Sequence, residues 1–345
     1  MINIYTTGRL LAVSVGTIAF TITGINAAQA AKFTSINIFG DSLSDPGNAF
    51  KASGGLFPPA PYYQGRFSNG PVWTDYLAND LGLNPIPYMD TNGIPSAKGV
   101  NYAFGGATSG KENIAYLFDP KLAGLPGVQT QVGAFIQPLL QQGKTADPNS
   151  LYVLWAGGND YTYASSKDTQ GVVNNLSWAI NNLYNIGARN FLISNLPDLS
   201  QTPLGSSGAL VPSGDLQKTV QEHNTLLNQE ITNLNQSLFN SNIALFDVNN
   251  VFEDVINKPD QYGLTNVTEQ CFSKTSVAIF LCSNPDEYLF WDDLHPTTKG
   301  HKLIADAAYA TIQQEFKSTP EPSTILALTG IGLGFLLLNK NKKVA

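Results

Sequence analysis

Three apolar runs that each break directly into a turn of small and polar residues constrain this chain more than any other feature. Ser35 to Phe39 runs into Gly40-Asp41-Ser42, the run ending at Phe104 meets Gly105-Gly106, and Leu151 to Trp155 leads to Gly157-Gly158-Asn159. Amphipathic stretches lie between and after such runs. Val72, Trp73, Tyr76, Leu77 and Leu81 share one helical face, Val172 to Ile186 keeps register up to Gly187, and Leu216 to Leu238 and Thr298 to Phe316 repeat the pattern. Short buried strands alternating with helices of this kind predict a doubly wound, three-layer α/β/α fold around about five mostly parallel strands. A smaller helix around Val128 to Leu140 is expected to be cut by Pro138. No internal repeat is visible.

In an open α/β sheet, ligands bind beyond the carboxyl ends of the strands. Ser42 stands there, but a serine hydroxyl is a poor nucleophile without a base and an oxyanion site. The base is found near the far end, in Trp291-Asp292-Asp293-Leu294-His295-Pro296-Thr297. The Asp292-x-x-His295 spacing lets a carboxylate hold the far nitrogen of the imidazole from within one turn, which leaves the near nitrogen free to accept the Ser42 proton. Asp293 is the alternative carboxylate. The second and third turns supply oxyanion donors, the Gly105 N–H and the Asn159 side-chain amide, beside the Ser42 N–H. Gly106 stays open as the alternative to Gly105. Of the other two histidines, His223 fits a helix face better than a base, and His301 is expected to meet solvent.

With these residues in place, the sequence resembles the GDSL, or SGNH, hydrolase family. Gly40-Asp41-Ser42-Leu43, the Gly105 stretch, Gly157-Gly158-Asn159-Asp160 and Asp292-x-x-His295-Pro296-Thr297 look like blocks I, II, III and V, and Asn195-Leu196-Pro197-Asp198 looks like block IV. Tyr63 to Trp73 is similar to the longer, lipase-type members. The resemblance implies an esterase or lipase with Ser42 as nucleophile, His295 as base, Asp292 as its orienting acid, and Ser42, Gly105 and Asn159 as the oxyanion hole. No cofactor is expected. The absence of a G-x-S-x-G elbow argues against the other common α/β-hydrolase fold.

Both ends read as processing signals. Arg9, the apolar run Leu10 to Ile25 and Ala28-Gln29-Ala30 fit a secretory signal cleaved after Ala30, with a retained anchor as the alternative. At the other end, Thr319-Pro320-Glu321-Pro322, the apolar run Thr324 to Leu338 and a basic tail resemble the PEP-CTERM sorting signal. That resemblance implies a sortase-like membrane protease as partner and a bacterial envelope or extracellular address; an ordinary tail anchor is the alternative. Residues 1–30, 31–318 and 319–345 therefore read as leader, hydrolase domain and sorting segment.

Leaving out both ends removes four positive charges (Arg9, Lys340, Lys342, Lys343) and one negative (Glu321), which takes the formal charge from −7 to −10. Such a body suits a neutral substrate and disfavours nucleic acid or an anionic bilayer. With 43% hydrophobic and 13% charged residues the chain is globular rather than disordered. Residues 44–67 carry Phe57, Tyr62, Tyr63 and Phe67, which either wall an acyl or aryl pocket or pack on the body; Arg66 shares that ambiguity. Cys271 and Cys282 are expected to form a disulfide in a stretch with little regular pattern. Cysteine and histidine spacings leave no zinc site. The function expected is therefore ester hydrolysis of a small ester or lipid. A deacetylase acting on acetylated polysaccharide and a silent glycan- or lipid-binding envelope protein are the alternatives.

Overall fold

The computed structural model describes residues 33–91, 96–275 and 277–316. The expected leader, residues 1–30, and the expected sorting segment, residues 319–345, lie outside the described residues. Six strands form the central sheet: β1 (Ile36–Gly40), β2 (Ile86–Pro87), β3 (Val100–Asn101), β4 (Leu151–Trp155), β5 (Asn190–Ser194) and β6 (Asn242–Phe246). All pair in parallel, in the spatial order β2-β3-β1-β4-β5-β6. Helices α1 (Asn48–Ala52), α2 (Trp73–Asp80), α3 (Val128–Gln141), α4 (Gly158–Tyr161), α5 (Thr169–Asn185), α6 (Pro203–Ser207), α7 (Ser213–Ser237), α8 (Val248–Asn257) and α9 (Thr298–Glu315) lie between and after these strands.

Side chains alternate along each strand, so the sheet has two apolar faces. Ile36, Ile38, Leu151, Val153 and Phe246 pack with α2, α8 and α9. Phe39, Tyr152, Leu154, Phe191 and Ile193 pack with α3, α5 and the later turns of α7. Each fully buried side chain of this kind contributes roughly 1.5–3 kcal/mol. Together they form the three layers expected.

The winding reverses at β1, because the chain goes out to β2 and back through β3 on one side, then through β4, β5 and β6 on the other. That makes the carboxyl end of β1 the switch point. Gly40 at that end is in register with Trp155 of β4, and its carbonyl accepts the Phe104 N–H at 3.2 Å. All three turns seen in the sequence therefore leave the sheet at one level. Gly40 is required there, since a Cβ would lie 2.6 Å from the Trp155 carbonyl oxygen. The buried Gln131 amide of α3 bonds both the Gly40 N–H and its C=O, at 2.9 and 2.8 Å, and pins the end of β1.

Four details differ from the sequence reading. The sheet has a sixth strand, the two-residue edge β2, which is too short to show a period. Pro138 does not cut α3, which runs on to Gln141, because a proline near the last turn removes a single intrahelical bond. His301 is buried rather than solvated. It heads the stripe of His301, Ile304, Ala305, Ala308 and Ile312 along the buried face of α9, the helix that packs on α2, and its Nδ1 accepts the Trp73 N–H at 3.3 Å. The cysteine stretch is also more regular than expected. β8 (Phe272–Lys274) and β9 (Ile279–Leu281) form an antiparallel hairpin, flanked by the parallel pair β7 (Asn266–Gln270) and β10 (Tyr288–Phe290).

Candidate active site

Ser42 sits in the turn after β1, where the Asp41 carbonyl accepts the Ser44 N–H and the Asp41 carboxylate accepts the Leu43 N–H, each at 3.0 Å. His295 sits in the turn after β10, closed by the Trp291 N–H bonding the His295 carbonyl at 2.8 Å. The structure brings these two turns together: the Ser42 hydroxyl lies 2.7 Å from His295 Nε2. His295 Nδ1 lies 2.9 and 2.8 Å from the two Asp292 oxygens. A carboxylate accepts and does not donate, so Nδ1 carries the proton and Nε2 is left to accept from Ser42.

Backbone bonds fix Asp292 before His295 meets it. Its Oδ1 accepts the N–H groups of Leu294 and His295, at 2.9 and 2.6 Å, which is why an aspartate three positions before the histidine serves this geometry. Burial pushes the Asp292 carboxyl up, but His295 and the hydrogen bonds from His295 and Tyr62 outweigh that and hold it below the ordinary value. For His295, burial pulls down while Asp292, with Asp293 and Asp41, pulls up, and the net shift is upward. Asp293, the alternative carboxylate, makes no bond to the imidazole. It faces the cleft beside Leu294, and burial raises its pKa.

The oxyanion donors require one correction. The Gly105 N–H is bonded to the buried Asp45 carboxylate at 2.8 Å and is not free to hold an oxyanion. Gly106, one residue on, lines the cleft with Ser42 and Asn159. Its φ is +79° and a Cβ would lie 2.6 Å from Asn113 Oδ1, so only glycine fits. Among the described residues, neither the Gly106 N–H nor the Ser42 N–H meets a protein acceptor. Asn159, in the first turn of α4, gives one amide hydrogen to the Ala107 carbonyl at 2.9 Å and keeps the other. Asp160 steadies this corner, accepting from the Ser109 N–H and hydroxyl at 2.9 and 2.7 Å.

A cleft of about 670 Å³, counting its open mouth, lies over these groups. Phe57, Tyr62 and Phe67 of the loop after Ser42 do wall it, joined by Phe118 and Tyr163 from other loops. Tyr63 does not; it is 39% exposed, under the Arg66 guanidinium. Arg66 is structural, pairing with Asp75 of α2 through two bonds of 2.7 and 2.9 Å. A smaller groove that also reaches Ser42 is lined by Leu43, Pro197, Leu199 and Phe252, which brings Pro197 of the Asn195 to Asp198 stretch to the site.

Cys271 and Cys282 are bonded, with Cα atoms 4.8 Å apart, and close the β8–β9 hairpin. His223 is buried against the Tyr161 hydroxyl at 2.8 Å, and burial pushes its pKa down to about 4. It belongs to the core. No group of three or more His, Cys, Asp or Glu side chains among the described residues is placed to hold a metal ion. The sequence reading missed Asp45, Gln131 and the contact of Tyr62 with Asp292, whose partners lie far away along the chain.

The family model described as GDSL-like Lipase/Acylhydrolase matches residues 36–308. The chain is 27% identical to a phosphatidylcholine-sterol acyltransferase of Aeromonas hydrophila, over 88% of its own length and 96% of that protein's. It is 29% identical to a GDSL esterase/lipase of Arabidopsis thaliana, over 79% of this chain and 80% of the other. Among solved structures, the native aryl esterase of M. smegmatis is similar with a TM-score of 0.45 and 14% identity, over 82% of this chain and 99% of that one.

Proposed function

Because the chain belongs to the GDSL-like lipase/acylhydrolase family, we propose that it cleaves carboxylic esters through an acyl intermediate on Ser42. The observation that carries this reading is the hydrogen-bonded line from Ser42 Oγ through His295 to Asp292. Ser42 Oγ attacks the ester carbonyl carbon while its proton passes to His295 Nε2, and Asp292 stabilises the imidazolium. The Ser42 and Gly106 N–H groups and the free Asn159 amide hydrogen hold the oxyanion. The bond to the alcohol then breaks, and the alcohol leaves with the proton from His295. Water attacks the acyl-Ser42 carbonyl by the same path and releases the acid.

The cleft is rich in aromatic side chains, and among the described residues that line it there is no lysine or arginine. That supports a neutral ester with an acyl or aryl part, in keeping with the negative body. A second reading, transfer of the acyl group to another alcohol instead of water, is supported by the name of the Aeromonas relative. The two readings share every step up to acyl-Ser42. The sequence of both ends supports export to the bacterial envelope or medium, with processing by a sortase-like protease.

Hydrolysis of p-nitrophenyl esters from acetyl to palmitoyl, beside Ser42→Ala and His295→Ala, tests the reading. Activity lost in both variants supports it, and the chain-length optimum separates a short-ester esterase from a lipase. Acetate release from acetylated glycan, with no turnover of longer esters, would favour the deacetylase. Binding without turnover of any of these would favour the silent binding protein.

A further inference from the structure

Tyr62 is 230 positions away from Asp292 in sequence, yet its phenolic O–H donates to Asp292 Oδ2 at 2.6 Å. The other donors to this carboxylate, the Leu294 and His295 N–H groups and His295 Nδ1, all come from its own turn. Tyr62 is thus the one donor, among the described residues, that reaches Asp292 from elsewhere in the fold. It bonds the same oxygen that lies 2.8 Å from His295 Nδ1.

The tyrosine ring is itself held. It meets Phe272 edge to face at 5.7 Å and Trp291 at 6.3 Å, and those two rings stack on each other at 5.4 Å. This small cluster includes Cys271 and Cys282, so the disulfide-closed hairpin backs the ring on one side while the cleft lies on the other. Burial, with Asp292 beside it, pushes the phenol's pKa far up, so it remains a donor at every working pH.

We infer that Tyr62 is a positioning residue for acyl transfer, acting through Asp292: its O–H fixes the carboxylate plane against His295 Nδ1 and withdraws part of the carboxylate's charge. This rests on the proposed ester-cleaving role. A carboxylate with one fewer donor holds more charge on the oxygen facing the imidazole, and it turns more freely about its last bond. Losing the phenol oxygen therefore makes His295 easier to protonate and less well aimed at Ser42. The other groups facing His295 are Asp41, Asp293, the neutral His301, the Ser42 hydroxyl and the Phe67 ring, with Tyr163 facing Asp292. Removing the phenol oxygen leaves all of them in place.

Tyr62→Phe in the full chain tests this, since phenylalanine keeps the ring, its packing and the cleft wall. The first readout is the imidazole NMR titration. Among three histidines, His223 and His301 are pushed to about 4 and about 3, so the curve in the neutral range belongs to His295. That curve should move to higher pH, and kcat for p-nitrophenyl acetate should fall roughly tenfold with KM little changed. An unmoved titration overturns the inference, whether or not KM changes, because Tyr62 would then be a wall residue only. A moved titration with unaltered kcat also overturns it. If wild type and Ser42→Ala were equally inactive on every ester, the ester-cleaving role and this inference would fall together. An active wild type with an indifferent Tyr62→Phe would sink this inference alone.

Discussion

Gly105 gives its N–H to the buried carboxylate of Asp45 at 2.8 Å. Asp45 also accepts the N–H groups of Gly47, Asn48 and Ala49, so one side chain ties the loop after Ser42 to the Gly105-Gly106 turn. Asparagine in its place would present an amide N–H₂ to donors that need an acceptor. Asp45→Asn should cost about 1–3 kcal/mol of stability, read from a denaturant melt, and should lower kcat as the Gly106 turn loosens. A melt and a rate equal to wild type would contradict this.

Asn159 holds its place through the Ala107 carbonyl and offers its second hydrogen to the cleft. Asn159→Ala should reduce kcat by ~10²–10³ with a much smaller change in KM, because the donor acts on charge that develops only in the transition state. Steady-state kinetics on p-nitrophenyl acetate measure both. A change confined to KM would mean that the amide binds the ground state.

The pH dependence follows from His295, which must be neutral to accept the Ser42 proton. Its pKa lies above the ordinary value of 6.5, so kcat/KM should be lost as pH falls through that raised value. Asp293 contributes to the upward pull. Replacing it with asparagine removes a negative charge near the imidazole, and the acid limb of Asp293→Asn should move to lower pH. A limb that stays put or moves up would show that Asp293 does not act on His295.

The Cys271–Cys282 bond closes the hairpin whose Phe272 backs Tyr62. Replacing both cysteines with serine should cost about 2–3 kcal/mol by the chain-entropy estimate for so short a loop. It should also shift the acid limb upward, in the same direction as Tyr62→Phe. A thermal melt reads the first effect and a pH–rate profile the second; a destabilised variant with an unmoved profile would separate the hairpin from the site.

Local spacing made much of this site legible in the sequence. Asp292 and His295 share one turn, and Ser42 and Asn159 each follow a strand closely, so neighbouring residues alone carry the pattern. Gly105 and Gly106 are chemically identical neighbours, and the choice between them depends on Asp45, sixty positions before Gly105. His301 shares the helical face of Ile304, Ala305, Ala308 and Ile312, but a polar imidazole at the start of that face reads as solvated until α2 covers it and the Trp73 N–H gives its Nδ1 a partner. The β2 strand is too short for any period, and Pro138 looked like a break because its place near the end of α3 depends on where that helix stops. Tyr62 lay within a loop of several aromatics, and only the fold shows which ring meets Asp292.

The most direct test of the central claim is covalent labelling with a reactive p-nitrophenyl phosphonate, followed by peptide mass spectrometry. An acyl-transfer site of this geometry predicts one phosphonyl group per chain, on Ser42, with matching loss of ester hydrolysis and no labelling in Ser42→Ala. Labelling of another residue, or an active enzyme left unlabelled at Ser42, would contradict it.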